Sequence, residues 1–227
     1  MANKSIAKNY IYNLIYQILA MIIPIITTPY LSRVLGAEKI GIYSFTFSIL
    51  SYFVLFGCLG IALYGQREIA TVQDDVKRRS KVFWELFYLK LIMICISFAI
   101  FAIINFNNDI YGIYYKILTI ELFANAIDIT WFYQGIEDFK KITIRNAIVR
   151  IASVILIFIF VKNENDLIKY FLINGISNFI SYLVLWLNIK KFTVKTKLKE
   201  LNIVRTFKTY YYAIYTTNCD SNLYCIR

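Results

Sequence analysis

Residues 82–104 read VFWELFYLKLIMICISFAIFAII, and this segment decides the structural class of the chain. An α-helix rises about 1.5 Å per residue, so a helix of this length can cross the roughly 30 Å hydrocarbon core of a bilayer. Glu85 and Lys90 are the only charged side chains in the segment, and both lie in its first half. The sequence therefore predicts a transmembrane helix here.

Five further apolar segments flank this one, at residues 10–31, 42–64, 113–133, 144–161 and 167–187. Hydrophobic residues make up 59% of the 227 residues and charged residues only 17%, whereas a soluble domain needs a more charged surface. An open strand would leave its backbone groups unpaired in lipid, and the alternation typical of barrel strands is absent. We therefore predict an all-α integral membrane protein with about six transmembrane helices.

The basic residues between these segments lie mainly on alternate sides. Only Arg33, Lys39 and Lys162 fall in the first, third and fifth connections, which would face outward if the N-terminus were inside. The inward regions then hold the N-terminal lysines, the cluster at 77–81, Lys140 and Lys141, and the basic residues after position 187. Because positive residues accumulate in cytoplasmic loops, we predict a cytoplasmic N-terminus.

Several function classes lack their usual residues. The chain has no histidine, few glycines for a phosphate-binding loop, and no cysteine spacing typical of zinc. Cys58 and Cys95 lie in apolar segments and are interpreted as small core residues, and Cys219 and Cys225 lie near the C-terminus. The net charge of +11 is accounted for by the basic loops. We expect no enzyme activity, no cofactor, no metal and no nucleic-acid partner.

Polar side chains repeat at helical spacing inside the predicted spans. The sets are Asn13 and Gln17; Ser44, Ser48 and Ser51; Glu121, Asn125 and Asp128; Asn146, Arg150 and Ser153; and Asn174, Asn178 and Ser181. Such faces either line a water-filled cavity or form helix–helix contacts. Contacts are favoured for Ser44, Ser48 and Ser51. A cavity is favoured for Glu121, Asp128 and Arg150, because a buried charge needs water or a partner. Pro24 and Pro29 predict a kink in the first span, either mobile or static.

Two longer stretches carry a family resemblance. They are ITTPYLSRVLGAEKIGIYSFTFSILSYFVLFGCLGIALYGQREIA at 26–70 and WFYQGIEDFKKITIRN at 131–146. Across roughly residues 4–201 the chain resembles the Wzx-type oligosaccharide flippases of the multidrug/oligosaccharidyl-lipid/polysaccharide exporter superfamily. The resemblance implies one lobe of a two-lobe, ATP-independent exporter in the bacterial cytoplasmic membrane. Its implied substrate is an undecaprenyl-pyrophosphate-linked repeat unit for capsule or O-antigen, and its implied partners are this lipid-linked oligosaccharide, membrane lipids and a polysaccharide polymerase.

This resemblance suggests roles for the polar residues. Four cations are candidates to bind the pyrophosphate: Arg33, Arg67, Lys90 and Arg150. Four amides are candidates to hydrogen-bond sugar hydroxyls: Asn13, Gln17, Asn125 and Asn178. Glu121 and Asp128 are candidates to bind a coupling proton or sodium ion. Arg67 has a second interpretation, as a cytoplasmic anchor of the kind that the positive-inside rule describes, and Arg145 is interpreted in the same way.

Two alternatives stay open at this point. A drug or cation exporter of the same superfamily would have an acidic and aromatic cavity with little cationic lining. The other alternative is an inactive membrane fragment, because a half transporter would leave a polar face open to lipid.

The last residues depart from the family pattern. We predict a six-helix N-terminal lobe at 1–200 and an atypical cytoplasmic tail at 201–227. The end of this tail, KTYYYAIYTTNCDSNLYCIR at 208–227, is rich in Tyr, Thr, Asn and Cys. One back-translation, shifted by one base, encodes an apolar, helix-like segment. Our hypothesis is that a frameshift near Lys208 truncated the product and removed the second lobe.

Overall fold

The computed structural model describes residues 2–58 and 60–194, with side chains described at residues 14, 17 and 18 and from residue 20 onward. The predicted tail at 201–227 lies outside this part, so the boundary at 200 and the frameshift hypothesis stay predictions. Within the described residues the chain is helical and contains no strand, and a helix lies at each of the six predicted positions. The predicted all-α membrane fold is confirmed.

The helices follow one another with short connections. Their bounds are α1 Ala2–Val34, α2 Gly36–Cys58, α3 Ile61–Thr71, α4 Val76–Asn105, α5 Gly112–Ile127, α6 Thr130–Gly135, α7 Phe139–Phe160 and α8 Leu167–Trp186, with 3₁₀ turns at Glu164–Asp166 and Ile189–Lys191. In the described part, four segments are long and apolar enough to cross a membrane: Gly36–Thr71, Val76–Asn105, Phe139–Phe160 and Glu164–Lys191. Ala20–Val34 is a shorter apolar helix.

Two of the predicted spans are interrupted, whereas the sequence predicted them as continuous. The second span breaks at Gly60, whose φ of 77° lies in the left-handed region that glycine adopts without steric cost. The fourth span ends at Ile127, where Asp128 takes an extended conformation. By contrast, α1 runs without interruption through Pro24 and Pro29.

The breaks place two short helices, α3 and α6, against each other at one end of the bundle. A Cβ added at Gly65 would lie 2.6 Å from the Trp131 ring, and one added at Gly135 would lie 2.7 Å from Ile69. The two helices can lie this close together because the glycines at these positions have no side chain. Trp131 is completely enclosed, together with Phe83 and Phe132.

The end of the bundle that contains the connections 72–75, 136–138 and 187–194 is called the basic end. Asp75 begins α4 there, and its carboxylate accepts hydrogen bonds from the backbone N–H groups of Lys77 and Arg78. These bonds hold the pKa of Asp75 below its ordinary value, and the bond from the Arg78 N–H has the largest effect. Arg79 donates to the carbonyl oxygen of Phe192 at 2.7 Å, which ties the start of α4 to the segment after α8.

Large apolar side chains cover the outside of the bundle, as expected for a surface in contact with lipid. Met21, Ile25, Leu55 and Ile103 are among those that are mostly exposed. Cys95 is also exposed, so the prediction that it lies in the core is wrong. Residues 91–104 of α4 are apolar on nearly all sides of the helix, and such a pattern does not distinguish lipid-facing from buried positions.

Candidate functional site

A cavity of about 680 Å³ lies inside the bundle between α1, α2, α5, α7 and α8. Its size falls in the range of small-molecule binding sites. Charged and amide side chains line much of it: Glu121, Asp128, Arg145, Asn146, Arg150, Asn174 and Asn178. Pro24 and Thr27 of α1 and Tyr43 of α2 complete the wall. Polar side chains inside an apolar bundle cost free energy, so a cavity lined by them is a candidate functional site.

Glu121 of α5 and Asn178 of α8 connect these two helices. The side-chain amide of Asn178 donates to both carboxylate oxygens of Glu121, at 2.9 and 3.0 Å. Glu121 is buried, with 8% of its surface exposed. Gly175, one turn before Asn178, faces Ile120 of α5, which lets the two helices lie close together. Glu121 is therefore a hydrogen-bonded carboxylate at the wall of the cavity.

Asp128 occupies the end of α5 and has several partners. Its carboxylate accepts hydrogen bonds from the backbone N–H of Thr130 at 2.9 Å and from the Thr130 hydroxyl. Its backbone carbonyl oxygen accepts a bond from Nζ of Lys90 at 2.8 Å, and the same Nζ lies 3.9 Å from the Asp128 carboxylate. This lysine is buried in α4, behind the cavity wall. Lys90 thus stabilises the helix end that Asp128 forms.

Two arginines on α7 add positive charge to the cavity. Arg150 lines the cavity and is itself exposed. Arg145 is buried, and its guanidinium donates to the side-chain oxygen of Asn146 and, at 3.3 Å, to the carbonyl oxygen of Ser181. The same guanidinium lies 5.6 Å from the centre of the Tyr182 ring. These contacts fix the position of Arg145 between α7 and α8.

Four of the ten residues that were given transport roles from the sequence line the cavity: Glu121, Asp128, Arg150 and Asn178. Lys90 lies behind Asp128 and is not part of the lining.

Four of the other residues given transport roles do not line the cavity. Asn125 donates to the backbone oxygen of Glu121 on its own helix, while Gln17, Arg33 and Arg67 are exposed and do not line the cavity. The side chain of Asn13 lies outside the described residues.

Sequence reasoning assigned no cavity role to Arg145, and it did not place Tyr43, Tyr170 or Tyr182 there. Arg145 precedes the stripe of Asn146 and Arg150 and was interpreted as an anchor. The tyrosines gave no signal, because aromatic residues are also common at membrane interfaces. Ser44, Ser48 and Ser51 are exposed on α2, and Ser48 and Ser51 each donate to a carbonyl of their own helix.

Among the described residues, no group of three or more Asp, Glu, Cys or His side chains could hold a metal ion.

The chain is similar to one described protein family and to curated proteins of two bacteria. The model of a family described as "Polysaccharide biosynthesis protein" matches residues 6–218. A protein of Escherichia coli (strain K12) named "Putative O-antigen transporter" is 27% identical over 183 residues, which cover 79% of this chain and 44% of that protein. A protein of the same name from Shigella dysenteriae is 28% identical over 163 residues, covering 71% of this chain and 41% of that protein.

The chain therefore spans less than half the length of these curated relatives. No solved structure matches it.

Proposed function

The chain belongs to the polysaccharide biosynthesis protein family, and from this premise we propose that it forms the substrate-binding bundle of an exporter for lipid-linked oligosaccharides. The transported molecule is an undecaprenyl-pyrophosphate-linked repeat unit, and the product is O-antigen or capsule. The names of its two curated relatives as O-antigen transporters support this proposal. They also agree with the expectation that the chain is not an enzyme.

The observation that carries the proposal is the polar cavity. Its lining contains two arginines, two carboxylates and several amides, at a depth where each polar group costs free energy. Sugars need amide, hydroxyl and carboxylate partners, and a pyrophosphate needs cations. One cavity that supplies both sets of groups fits a molecule that carries both.

Each lining group has a role in this proposal. Arg150 binds the pyrophosphate, and Arg145 supports it from the same helix. Asn146, Asn174 and Asn178 bind sugar hydroxyls.

Glu121 is the site of the coupling proton or sodium ion. Asp128 is the weaker candidate for that site, because Thr130 and Lys90 already occupy its oxygens.

The proposed location is the bacterial cytoplasmic membrane, with the N-terminus in the cytoplasm. The bias of Lys and Arg toward the basic end supports this orientation. The proposed partners are the lipid-linked oligosaccharide, the surrounding membrane lipids and a polysaccharide polymerase that receives the exported unit.

A translocation assay tests the proposal. The chain is reconstituted into liposomes that contain undecaprenyl-pyrophosphate-linked oligosaccharide, and a membrane-impermeant glycosidase then digests the outward-facing saccharide. We expect the protein to make the inner pool accessible. We expect Arg150→Ala to slow this by about tenfold, the equivalent of losing one charge-assisted hydrogen bond. Lys162→Ala, an exposed cation outside the cavity, is the matched control. A rate equal to that of protein-free liposomes would contradict the proposal.

A further inference from the structure

A second depression lies between α7 and α8 on the outside of the bundle, next to the basic end. It has a volume of about 460 Å³ and mostly apolar walls, formed by side chains that include Ile144, Ile148 and Val184. From Lys140 to Val149 it follows α7 for about 13 Å, at 1.5 Å per residue. The groove therefore starts near the membrane interface and extends into the hydrocarbon layer.

Positive charge is concentrated at the mouth of this groove. Lys140 is exposed there, and Lys141 is held in place by an ion pair with Asp138 at 2.6 Å and by the ring of Phe192, 4.4 Å away. Basic groups between transmembrane helices at the interface bind the phosphate head groups of lipids. The charge at the mouth thus complements an anionic head group, and the apolar walls complement a hydrocarbon chain.

The groove and the polar cavity adjoin. Arg145 and Val149 line both of them. A molecule with a hydrocarbon chain in the groove would therefore place its head group beside the guanidinium of Arg145 and its polar remainder in the cavity. A guanidinium suits this place because its planar array of donors matches phosphate oxygens.

We propose that the α7–α8 groove binds the isoprenoid chain of a polyprenyl-phosphate lipid. Lys140 and Arg145 then lie at the phosphate next to this chain, and the second phosphate of a pyrophosphate lies in the cavity at Arg150, together with the attached saccharide. This proposal rests on the proposed function and adds to it a binding site for the lipid part of the substrate. The occupant is a phosphorylated polyprenyl lipid, in preference to an ordinary anionic phospholipid, because the groove is one apolar channel between two helices, which suits a single hydrocarbon chain, whereas a diacyl lipid has two.

Lipid retention measured by native mass spectrometry tests this site on the purified full chain. The probes are undecaprenyl phosphate, undecaprenol and phosphatidylglycerol at equal concentration. We expect undecaprenyl phosphate to be retained at least about fivefold more than the other two. Equal retention of undecaprenol would overturn the role of the cations, and equal retention of phosphatidylglycerol would overturn the choice of lipid.

Tryptophan substitutions locate the bound chain. Ile148→Trp fills the groove and should lower retention of undecaprenyl phosphate by at least about fivefold. Ile155→Trp is the matched control, because Ile155 lies two turns further along the same face of α7, is similarly exposed at 53% against 62%, and does not line the groove. Equal effects of the two variants, or no effect of either, would overturn the assignment.

Two further variants test the head-group contacts. Lys140→Ala changes an exposed residue and should weaken retention without affecting folding, whereas Lys81→Ala, exposed at the same end outside the groove, should not weaken it. Arg145→Lys keeps the charge but loses the planar donors, so we expect intermediate retention. Retention that Lys140→Ala and Arg145→Lys leave unchanged would overturn the head-group contacts.

The translocation assay separates this proposal from the proposed function. Retention that depends on Ile148, together with a translocation rate equal to that of empty liposomes, would refute the transport function and leave the groove assignment intact. Translocation that persists in Ile148→Trp at the wild-type rate would refute the groove and leave the transport function intact.

Discussion

The side-chain amide of Asn178 on α8 donates hydrogen bonds to both carboxylate oxygens of Glu121 on α5. This contact joins two helices that pack closely at Gly175, and it gives a buried carboxylate its hydrogen-bond donor. The arrangement explains how a carboxyl group can be kept at the wall of a cavity inside an apolar bundle.

Asn178→Leu should destabilise the protein by about 1–3 kcal/mol, because it leaves the buried Glu121 carboxylate without its amide donor. The measurement is unfolding in mixed micelles of a mild detergent and SDS. Asn174→Leu, one turn earlier on α8, removes an amide that donates to the Tyr170 backbone instead, and it should cost less. The double variant Glu121→Leu/Asn178→Leu should recover most of the loss. A double variant that is less stable than Asn178→Leu would contradict this account of the pair.

Lys90→Met should also destabilise the protein, by about 3 kcal/mol, because it removes the cation from a mostly buried ion pair and the donor from the carbonyl of Asp128. Adding Asp128→Asn should restore part of the lost stability, since the carboxylate would no longer be unpaired. Lys81→Met, an exposed lysine earlier on α4, serves as the control and should have little effect. If Lys90→Met were as stable as this control, Lys90 would not support the end of α5.

Gly65→Ala should cost about 1–3 kcal/mol, because the added methyl group would lie 2.6 Å from the Trp131 ring and force α3 and α6 apart. Gly41→Ala provides the comparison. Nothing lies within 4 Å of a Cβ at Gly41, so alanine there should be neutral or slightly stabilising in α2. Both variants can be compared by thermal unfolding in detergent. Equal melting temperatures for the two would refute the close contact.

Asp75→Asn should make stability less dependent on pH in the acid range. The pKa of Asp75 is lower in the folded protein than its ordinary value of 3.8, mainly because the backbone N–H of Arg78 donates to the carboxylate. The unfolded chain therefore takes up this proton first as the pH falls. The stabilisation is present above pH 4 and disappears as the pH falls through the lower, folded pKa.

The check is the melting temperature of wild type and Asp75→Asn between pH 2 and pH 7. The wild-type advantage should be largest above pH 4 and should shrink at lower pH. Asp74→Asn, in the same turn, is the control for a simple change of charge. An advantage that grows as the pH falls would contradict the direction of the shift.

Sequence reasoning located the helices well, because an apolar run long enough to span a bilayer has few alternative conformations. It also placed Glu121, Asp128, Arg150 and Asn178 on polar helix faces, and these residues do share one cavity. The pairing of Glu121 with Asn178 was not predictable, since it depends on how α5 and α8 rotate toward each other.

Other features depend on contacts between distant parts of the chain. The break at Asp128 is stabilised by Lys90, 38 residues earlier. The local sequence around Asp128 does not contain this contact, so it predicted a continuous span. Lys90 itself was expected at the pyrophosphate, but it lies behind the wall because its nearest partner is the end of α5. Arg145 is adjacent to the predicted polar stripe, and only the packing of α7 on α8 reveals that it borders the cavity.

The most direct test of the central claim, that the cavity holds the saccharide of a lipid-linked substrate, is protection of a cavity cysteine from a water-soluble maleimide. The variant is Ser177→Cys, a cavity position on α8, in a background where the native cysteines are replaced by serine. Asn107→Cys, exposed in the connection between α4 and α5 and outside the cavity, is the control. We predict that undecaprenyl-pyrophosphate-linked oligosaccharide slows labelling at position 177 by about tenfold, while undecaprenyl phosphate without saccharide does not, and that labelling at position 107 is unchanged. Labelling at position 177 that proceeds at the same rate with and without the oligosaccharide would contradict the account.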